Sequence, residues 1–256
     1  MNLFKSVRIA FALSFLSVLL VAVYTAQSFW WLLIPVVSYL IVLVAGTVNI
    51  GLQFFMPSRI HGSRREQKVA LTFDDGPDKY TADVADCLVR HGVTGSFFVI
   101  GHKVERHAEV MQQLHQQGHV VGNHGFHHRW NDSLRLVSTI RGEMKQTSEA
   151  IEQAIGKKPR FYRPPFGITN PRVAKAVEEE GFVPIGWDVR SYDTVLGISD
   201  RLSDRLKRKV RNGSIILLHD TGEGMVGFLD AFIPWMKEQG YQIVSLEKLI
   251  NEKAYR

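Results

Sequence analysis

One repeated unit limits the folds open to this chain more than any other feature: a helical pattern stops at a glycine, and a short apolar run follows at once. His91-Gly92 precedes Ser96-Phe97-Phe98-Val99-Ile100, Gln117-Gly118 precedes His119-Val120-Val121, and Glu180-Gly181 precedes Phe182-Val183-Pro184-Ile185. Asn212-Gly213 and Gln239-Gly240 lead in the same way into Ile215-Ile216-Leu217-Leu218 and Tyr241-Gln242-Ile243-Val244. Glycine just past a helix takes the left-handed backbone that ends it. Helix starts are marked too, by Asn170-Pro171 and by Ser199 ahead of Asp200 to Arg211. Helices alternating with short apolar strands form parallel βαβ units, so the fold class is α/β. Adding the runs that start at Val69 and at Phe161 brings the count to about seven strands. Such strands close into a barrel or stay open as a doubly wound sheet, and either architecture gathers its site at the strands' C-terminal ends. The longest helical stretch, Ser133 to Ile155, carries Leu134, Val137, Ile140, Met144, Ile151 and Ile155 as its predicted core face.

The N-terminus follows another pattern. No charge interrupts Ile9 to Tyr24, and a second apolar run extends from Phe29 to about Val48 and trails to Met56. These read as two membrane spans, about 9–24 and 29–50. A secretory signal is the competing reading, but Thr25-Ala26-Gln27-Ser28 offers a poor cleavage site. Tyr24, Trp30 and Trp31 suit an interfacial aromatic belt. Lys5 and Arg8 precede the first run and Arg59, Arg64, Arg65 and Lys68 follow the second, so the positive-inside rule predicts a hairpin with both ends cytoplasmic. If the first run is not a span, the rest of the chain lies outside. The expected organisation is a membrane anchor over 1–56, a basic linker over 57–67 and one domain over 68–256. A net charge of +6 suits an anionic membrane surface, and no basic stripe with interleaved aromatics points to nucleic acid. The single cysteine, Cys87, excludes an intrachain disulfide and a cysteine-rich zinc site, and its place among Val84, Leu88 and His91 predicts a core position.

Chemistry-bearing residues stand at the predicted strand ends. Val69 to Phe73 runs into Asp74-Asp75-Gly76-Pro77, and two adjacent carboxylates at neutral pH repel unless a cation, a proton or a strong donor serves one of them. His124 and His128, four apart, can point the same way on a helical turn and bind one metal; His127 is out of that register. In Arg163-Pro164-Pro165-Phe166-Gly167 two prolines fix the backbone beyond an arginine that can hold a carboxylate bidentately. Asp193 follows the next strand, and Leu217-Leu218-His219-Asp220 ends another with a histidine beside a carboxylate. One carboxylate with two imidazoles is the layout of a hydrolytic metal site.

In order and spacing, Phe73-Asp74-Asp75-Gly76-Pro77, His124-x-x-x-His128, Arg163-Pro164-Pro165-Phe166-Gly167 and Leu217-x-His219 resemble the successive motifs of the polysaccharide deacetylases, the family with the NodB homology domain. The resemblance covers roughly residues 68–249. It implies a distorted parallel (β/α) barrel and metal-dependent removal of N-acetyl groups from carbohydrate, or in related members of formyl groups from lipid-linked sugars. It also implies roles: Asp75, His124 and His128 as ligands of one divalent ion, zinc or cobalt; Asp74 as general base, oriented by Arg163; the Phe166 backbone N–H as an oxyanion donor; His219 as the acid, kept charged by Asp193; and Leu217 lining the acyl pocket. The chain departs from the family pattern at Gly125, where Ser or Thr is usual, at Arg190, where an acid is frequent, and at Thr194, where a tryptophan often walls the sugar groove. The expected partners are an N-acetylated glycan or lipid-linked sugar and membrane lipid. The rival outside enzymes is an inactive carbohydrate-binding domain.

Overall fold

A computed structural model of the chain describes residues 3–25 and 28–256. Two apolar helices come first, α1 (Leu3–Tyr24) and α2 (Leu33–Val48), the second led in by a 3-10 turn over Phe29–Leu32. Both segments are long and apolar enough to cross a bilayer by length and composition. They pack on each other through Phe11 and Tyr39, whose rings stack with centroids 4.3 Å apart, while Leu13, Leu20, Trp30, Ile41 and Val44 face outward. The weak cleavage signal falls on Ala26 and Gln27, outside the described residues.

The remainder is a curled parallel sheet: β1 (Lys68–Asp74), β2 (Ser96–Val99), β3 (Val120–Asn123), β4 (Phe161–Tyr162), β5 (Val183–Pro184), β6 (Val189–Arg190), β7 (Ile215–His219) and β8 (Gln242–Ile243). Helices intervene: α3 (Thr81–Arg90), α4 (Gly101–Val104), α5 (Ala108–Gln116), α6 (Val137–Ile155), α7 (Pro171–Glu179), α8 (Asp193–Leu196), α9 (Asp200–Lys209), α10 (Met225–Glu238) and α11 (Leu246–Ile250). The strand path is β5-β4-β3-β2-β1-β7-β6. Its two ends, β5 and β6, are neighbours in the chain, joined only by Ile185 to Asp188, so the sheet must curl until its edges lie one short connection apart. Residues 57–67 lie against the barrel: the Arg59 N–H donates to the Pro184 carbonyl and the Gly186 N–H to the Arg59 carbonyl, both at 2.9 Å, and Arg64 pairs with Asp188 at 2.8 Å.

Seven strands make the path, but not the seven counted from the sequence. The Tyr241–Val244 run keeps only β8, which pairs with Lys68 and Val69 because β2 occupies the same edge of β1 farther on, at Thr72 to Asp74. Val189-Arg190 takes the place at the end of the path, paired with Ile216 and Leu217. The expected helix from Ser133 is also interrupted. Asn170 and Arg172 bind the carbonyls of Ser133 and Leu134, which are then unavailable to start a helix, so α6 begins at Val137 and Leu134 is exposed rather than core. Helix α9 ends at Lys209, where Val210 turns extended and buries its side chain, and Ser199 caps its start without a side-chain bond.

Alternation along each strand decides what the barrel encloses. Val69, Leu71 and Phe73 pack outward against Val84, Leu88 and Phe232. Ala70 belongs to the inner cluster with Phe98, Val120, Phe161, Ile185 and Ile215. By the same period Thr72 and Asp74, then His124 two positions beyond Gly122, Arg163 two beyond Phe161, and Leu217 and His219 beyond Ile215 continue the inward rows towards the strands' C-terminal ends. The pairing register sets Thr72 beside Leu217 and Asp74 beside His219.

Candidate active site

Arg163 fills the upper barrel. It has no solvent exposure, its guanidinium lies 4.0 Å from the centroid of the Phe98 ring, and Nη1 donates to Asp74 Oδ1 at 2.6 Å and to Thr72 Oγ1 at 2.9 Å. Nη2 donates to the Gly186 carbonyl at 3.1 Å. A buried guanidinium with a buried carboxylate and further acceptors is a fixed unit, because separating the charges would strand either one in an apolar interior. Asp75 would point to the helix side if β1 simply continued. Its backbone is left-handed instead, with φ 73°, and its carboxylate joins Asp74 at the mouth. Gly76 lets this turn pass against the buried Asp220, since a Cβ there would clash with the Asp220 carboxylate. Burial pushes the Asp220 carboxyl up to about 7, against the Thr81 hydroxyl that donates to it.

His124 and His128 meet across a loop, not along a helical turn. Left-handed backbone at Gly125 (φ 82°) and at His128 (φ 56°) reverses the chain and brings the two rings to 4.8 Å between centroids. His124 donates Nδ1–H to the Arg163 carbonyl at 2.8 Å, which turns Nε2 towards the two carboxylates, 3.5 Å from Asp75 Oδ1 and 3.7 Å from Asp74 Oδ2. His128 Nε2 lies 3.2 Å from the same Asp75 oxygen. One atom from each of Asp75, His124 and His128 falls within 4.8 Å of the others. Asp75 Oδ1 is buried and has no hydrogen-bond partner among the described residues, although it sits in the middle of the cluster. Such an atom fits a cation, and so does the donor set. Burial pushes the Asp75 carboxyl up, but the neighbouring imidazoles of His124, His128 and His219 outweigh it and hold it well below the usual carboxylate range. Burial and the neighbouring His124 charge depress His128 to about 4, so its imidazole is neutral at pH 7.

On the opposite side, Asp193 accepts from His219 Nδ1 at 2.7 Å and from the His219 backbone N–H at 2.7 Å, with Ser191 Oγ donating to the same carboxylate at 2.9 Å. Burial works against a charged His219, but the Asp193 hydrogen bond and charge, with Asp74 and Asp75, carry its pKa up to about 9. Its Nε2 faces inward, 3.8 Å from Asp75 Oδ2. Phe166 takes a left-handed backbone (φ 59°), and its half-exposed ring lies 4.5 Å from the His128 ring. Leu217 is buried in β7 below His219. Arg190 lies outside this group, with its guanidinium over the Tyr192 ring, and Thr194 is exposed behind Asp193.

Several supporting residues had no local signal in the sequence. With no hydroxyl at position 125, Asn123 Oδ1 receives the Gly125 N–H, and Glu143, fifteen residues past His128 on α6, receives the N–H groups of Phe126 and His127 and bonds the His127 ring. Lys103 donates to the Asp75 carbonyl at 2.9 Å while paired with Asp78 at 2.6 Å, which secures the strained turn. The Asn next to His124 at a strand end was the one cue available, because a buried amide there must bond to something.

Known proteins resemble this chain in sequence and in fold. A family model described as polysaccharide deacetylase matches residues 61–185. The peptidoglycan-N-acetylmuramic acid deacetylase PdaA of Bacillus subtilis is 32% identical over 200 residues, 76% of each chain. A peptidoglycan-N-acetylglucosamine deacetylase of Bacillus cereus is 31% identical over 202 residues, 76% of this chain and 72% of the other. Among solved structures, the Bc1960 peptidoglycan N-acetylglucosamine deacetylase, in complex with 4-naphthalen-1-yl-N-oxidanyl-benzamide, superposes with a TM-score of 0.73 at 32% identity, covering 77% of this chain and 94% of that one. BA3943 of Bacillus anthracis, described as a CE4 family pseudoenzyme, superposes with a TM-score of 0.70 at 28% identity, covering 76% of this chain and 69% of that one.

Proposed function

The chain belongs to the polysaccharide deacetylase family, and on that premise we propose that it is a metal-dependent hydrolase that removes N-acetyl groups from a glycan, held in the membrane by its two N-terminal helices. The family includes a pseudoenzyme, so fold alone does not argue for activity. The arrangement of two adjacent carboxylates does. Asp74 is committed to Arg163, whereas Asp75 leaves a buried oxygen unpaired between His124 and His128. This is the separation of tasks that a base and a metal ligand need.

Asp75, His124 and His128 would hold the ion, zinc or cobalt. When bound, it would supply Lewis acidity towards the amide carbonyl and an acidified water. Asp74 takes the proton from the attacking water, and Arg163 keeps its carboxylate aimed. The Phe166 N–H donates to the carbonyl oxygen as negative charge gathers on it. His219, protonated through Asp193, gives its proton to the amine nitrogen as the C–N bond breaks, so that water and amide become acetate and a free amine. Leu217 borders the space for the acyl methyl. The positive charge flanking both helices favours a cytoplasmic catalytic domain. Asp74→Asn tests the assignment: acetate release from an N-acetylated oligosaccharide is expected to fall by about 10²–10⁴-fold with the fold intact. Unchanged release would remove Asp74 as the base.

A further inference from the structure

The mouth of the barrel is bonded to the end of the second apolar helix. Thr169, three residues past Phe166, donates its N–H to the Thr47 carbonyl at 2.9 Å and its hydroxyl to the Gly46 carbonyl at 3.2 Å, both in the last turn of α2. Beside this junction lies a cleft of about 550 Å³ between residues 48–52 and residues 187–192, with Arg205 and Lys209 of α9. Its two sides differ in chemistry. Val48, Ile50 and Leu52 give an apolar wall continuous with the helix that precedes them, and Arg190, Arg205 and Lys209 give a cationic one. Arg190 and Arg205 both stack on the Tyr192 ring, 4.8 and 4.6 Å from its centroid. The only acid in the lining, Asp188, is already bound by Arg64 at 2.8 Å and the Ser214 hydroxyl at 3.0 Å. Three positive charges therefore share one cleft with no free carboxylate to offset them.

We propose that this cleft binds the phosphate or diphosphate of a membrane-resident lipid that carries the sugar substrate; the proposal rests on the deacetylase reading and adds the carrier to it. Guanidinium groups match phosphate oxygens in geometry and charge. The apolar wall suits the first carbons of the lipid chain. The stretch that forms the cleft also reaches the site: the Trp187 ring packs on Gly167 and lies 5.6 Å from the Arg163 guanidinium, and Asp193 holds His219. A sugar attached to a phosphate in the cleft is thereby directed along Trp187 to Asp193 into the mouth. Exposed apolar side chains frame that mouth, with Trp130, Leu134 and Leu136 on one side and Tyr192, Val195 and Leu196 on the other. Among the described residues beyond Leu52, the only other exposed large apolar side chains are Phe166, in the mouth itself, and Val89.

The test uses full-length protein in detergent, with farnesyl diphosphate, inorganic diphosphate and phosphatidylglycerol as calorimetric probes. Farnesyl diphosphate is expected to bind at least tenfold more tightly than inorganic diphosphate, which has nothing for the apolar wall, and to resist displacement by phosphatidylglycerol. The combined variant Arg190→Ala, Arg205→Ala, Lys209→Ala should weaken farnesyl diphosphate at least tenfold while cleaving a water-soluble N-acetylated oligosaccharide within twofold of the parent. Unchanged farnesyl diphosphate affinity in that variant would overturn the proposal, as would equal displacement by phosphatidylglycerol, which would make the cleft a general headgroup contact. Charge-dependent farnesyl diphosphate binding by a protein that releases no acetate would keep the phosphate site and reject the deacetylase reading.

Discussion

On one side of the barrel mouth the polar groups satisfy one another: Arg163 with Asp74 and Thr72, and His219 with Asp193 and Ser191. On the other side Asp75, His124 and His128 converge on a buried oxygen with no partner. The first arrangement pairs its charges within the protein, with only the Arg163 Nε left without a partner among the described residues. The second leaves that oxygen open to a cation, and its geometry is held by left-handed backbone at Asp75, Gly125 and His128. The two adjacent carboxylates of this chain therefore have different surroundings.

The largest effect should come from breaking the paired side. Arg163→Met leaves Asp74 buried beside an apolar chain, and a loss of about 3–5 kcal/mol of folding stability is expected by denaturant titration; a loss below 1 kcal/mol would mean that water reaches Asp74. The open side should behave in the opposite way. Zinc or cobalt at a hundredfold excess over its dissociation constant should stabilise the chelator-treated protein by about 2.7 kcal/mol, read as a rise in melting temperature. His128→Ala should abolish that rise with little change in the metal-free melting temperature. A third effect sharpens the contrast through pH. His219 is raised from its ordinary 6.5 to about 9, so the stability it contributes is fully present below pH 6.5 and lost as pH climbs to about 9. In metal-free protein, Asp193→Asn should flatten that slope, each unit of displaced pKa being worth about 1.4 kcal/mol. The same variant should move the alkaline limb of the rate profile to lower pH, because His219 then loses its proton earlier. An unchanged slope would assign it to another group.

The inward row was legible from alternation alone. Ala70, Thr72 and Asp74 follow a period of two, and the glycines that stop the helices mark where each strand resumes. What escaped the sequence lies in the backbone. Nothing in Asp75 or His128 announces a positive φ, since residues other than glycine adopt it only when their surroundings impose it. A four-residue spacing therefore suggested a helical turn where a reversed loop does the work. Glu143 was illegible because its partners lie in a different element, and Val189-Arg190 because two residues carry no periodicity. Leu134 read as core for the converse reason: its spacing was right, but Arg172 had already claimed its carbonyl.

The two bonds from Thr169 to the last turn of α2 turn the hairpin from a leash into a post. A catalytic domain on a flexible stalk sweeps a volume and can work its way along a long polymer. One bolted to its anchor works at a single height. With the hairpin in a bilayer as proposed, Asp74 and His219 would meet only amides presented at that level, and the protein would act as a ruler, choosing its target by distance from the membrane plane as well as by chemistry.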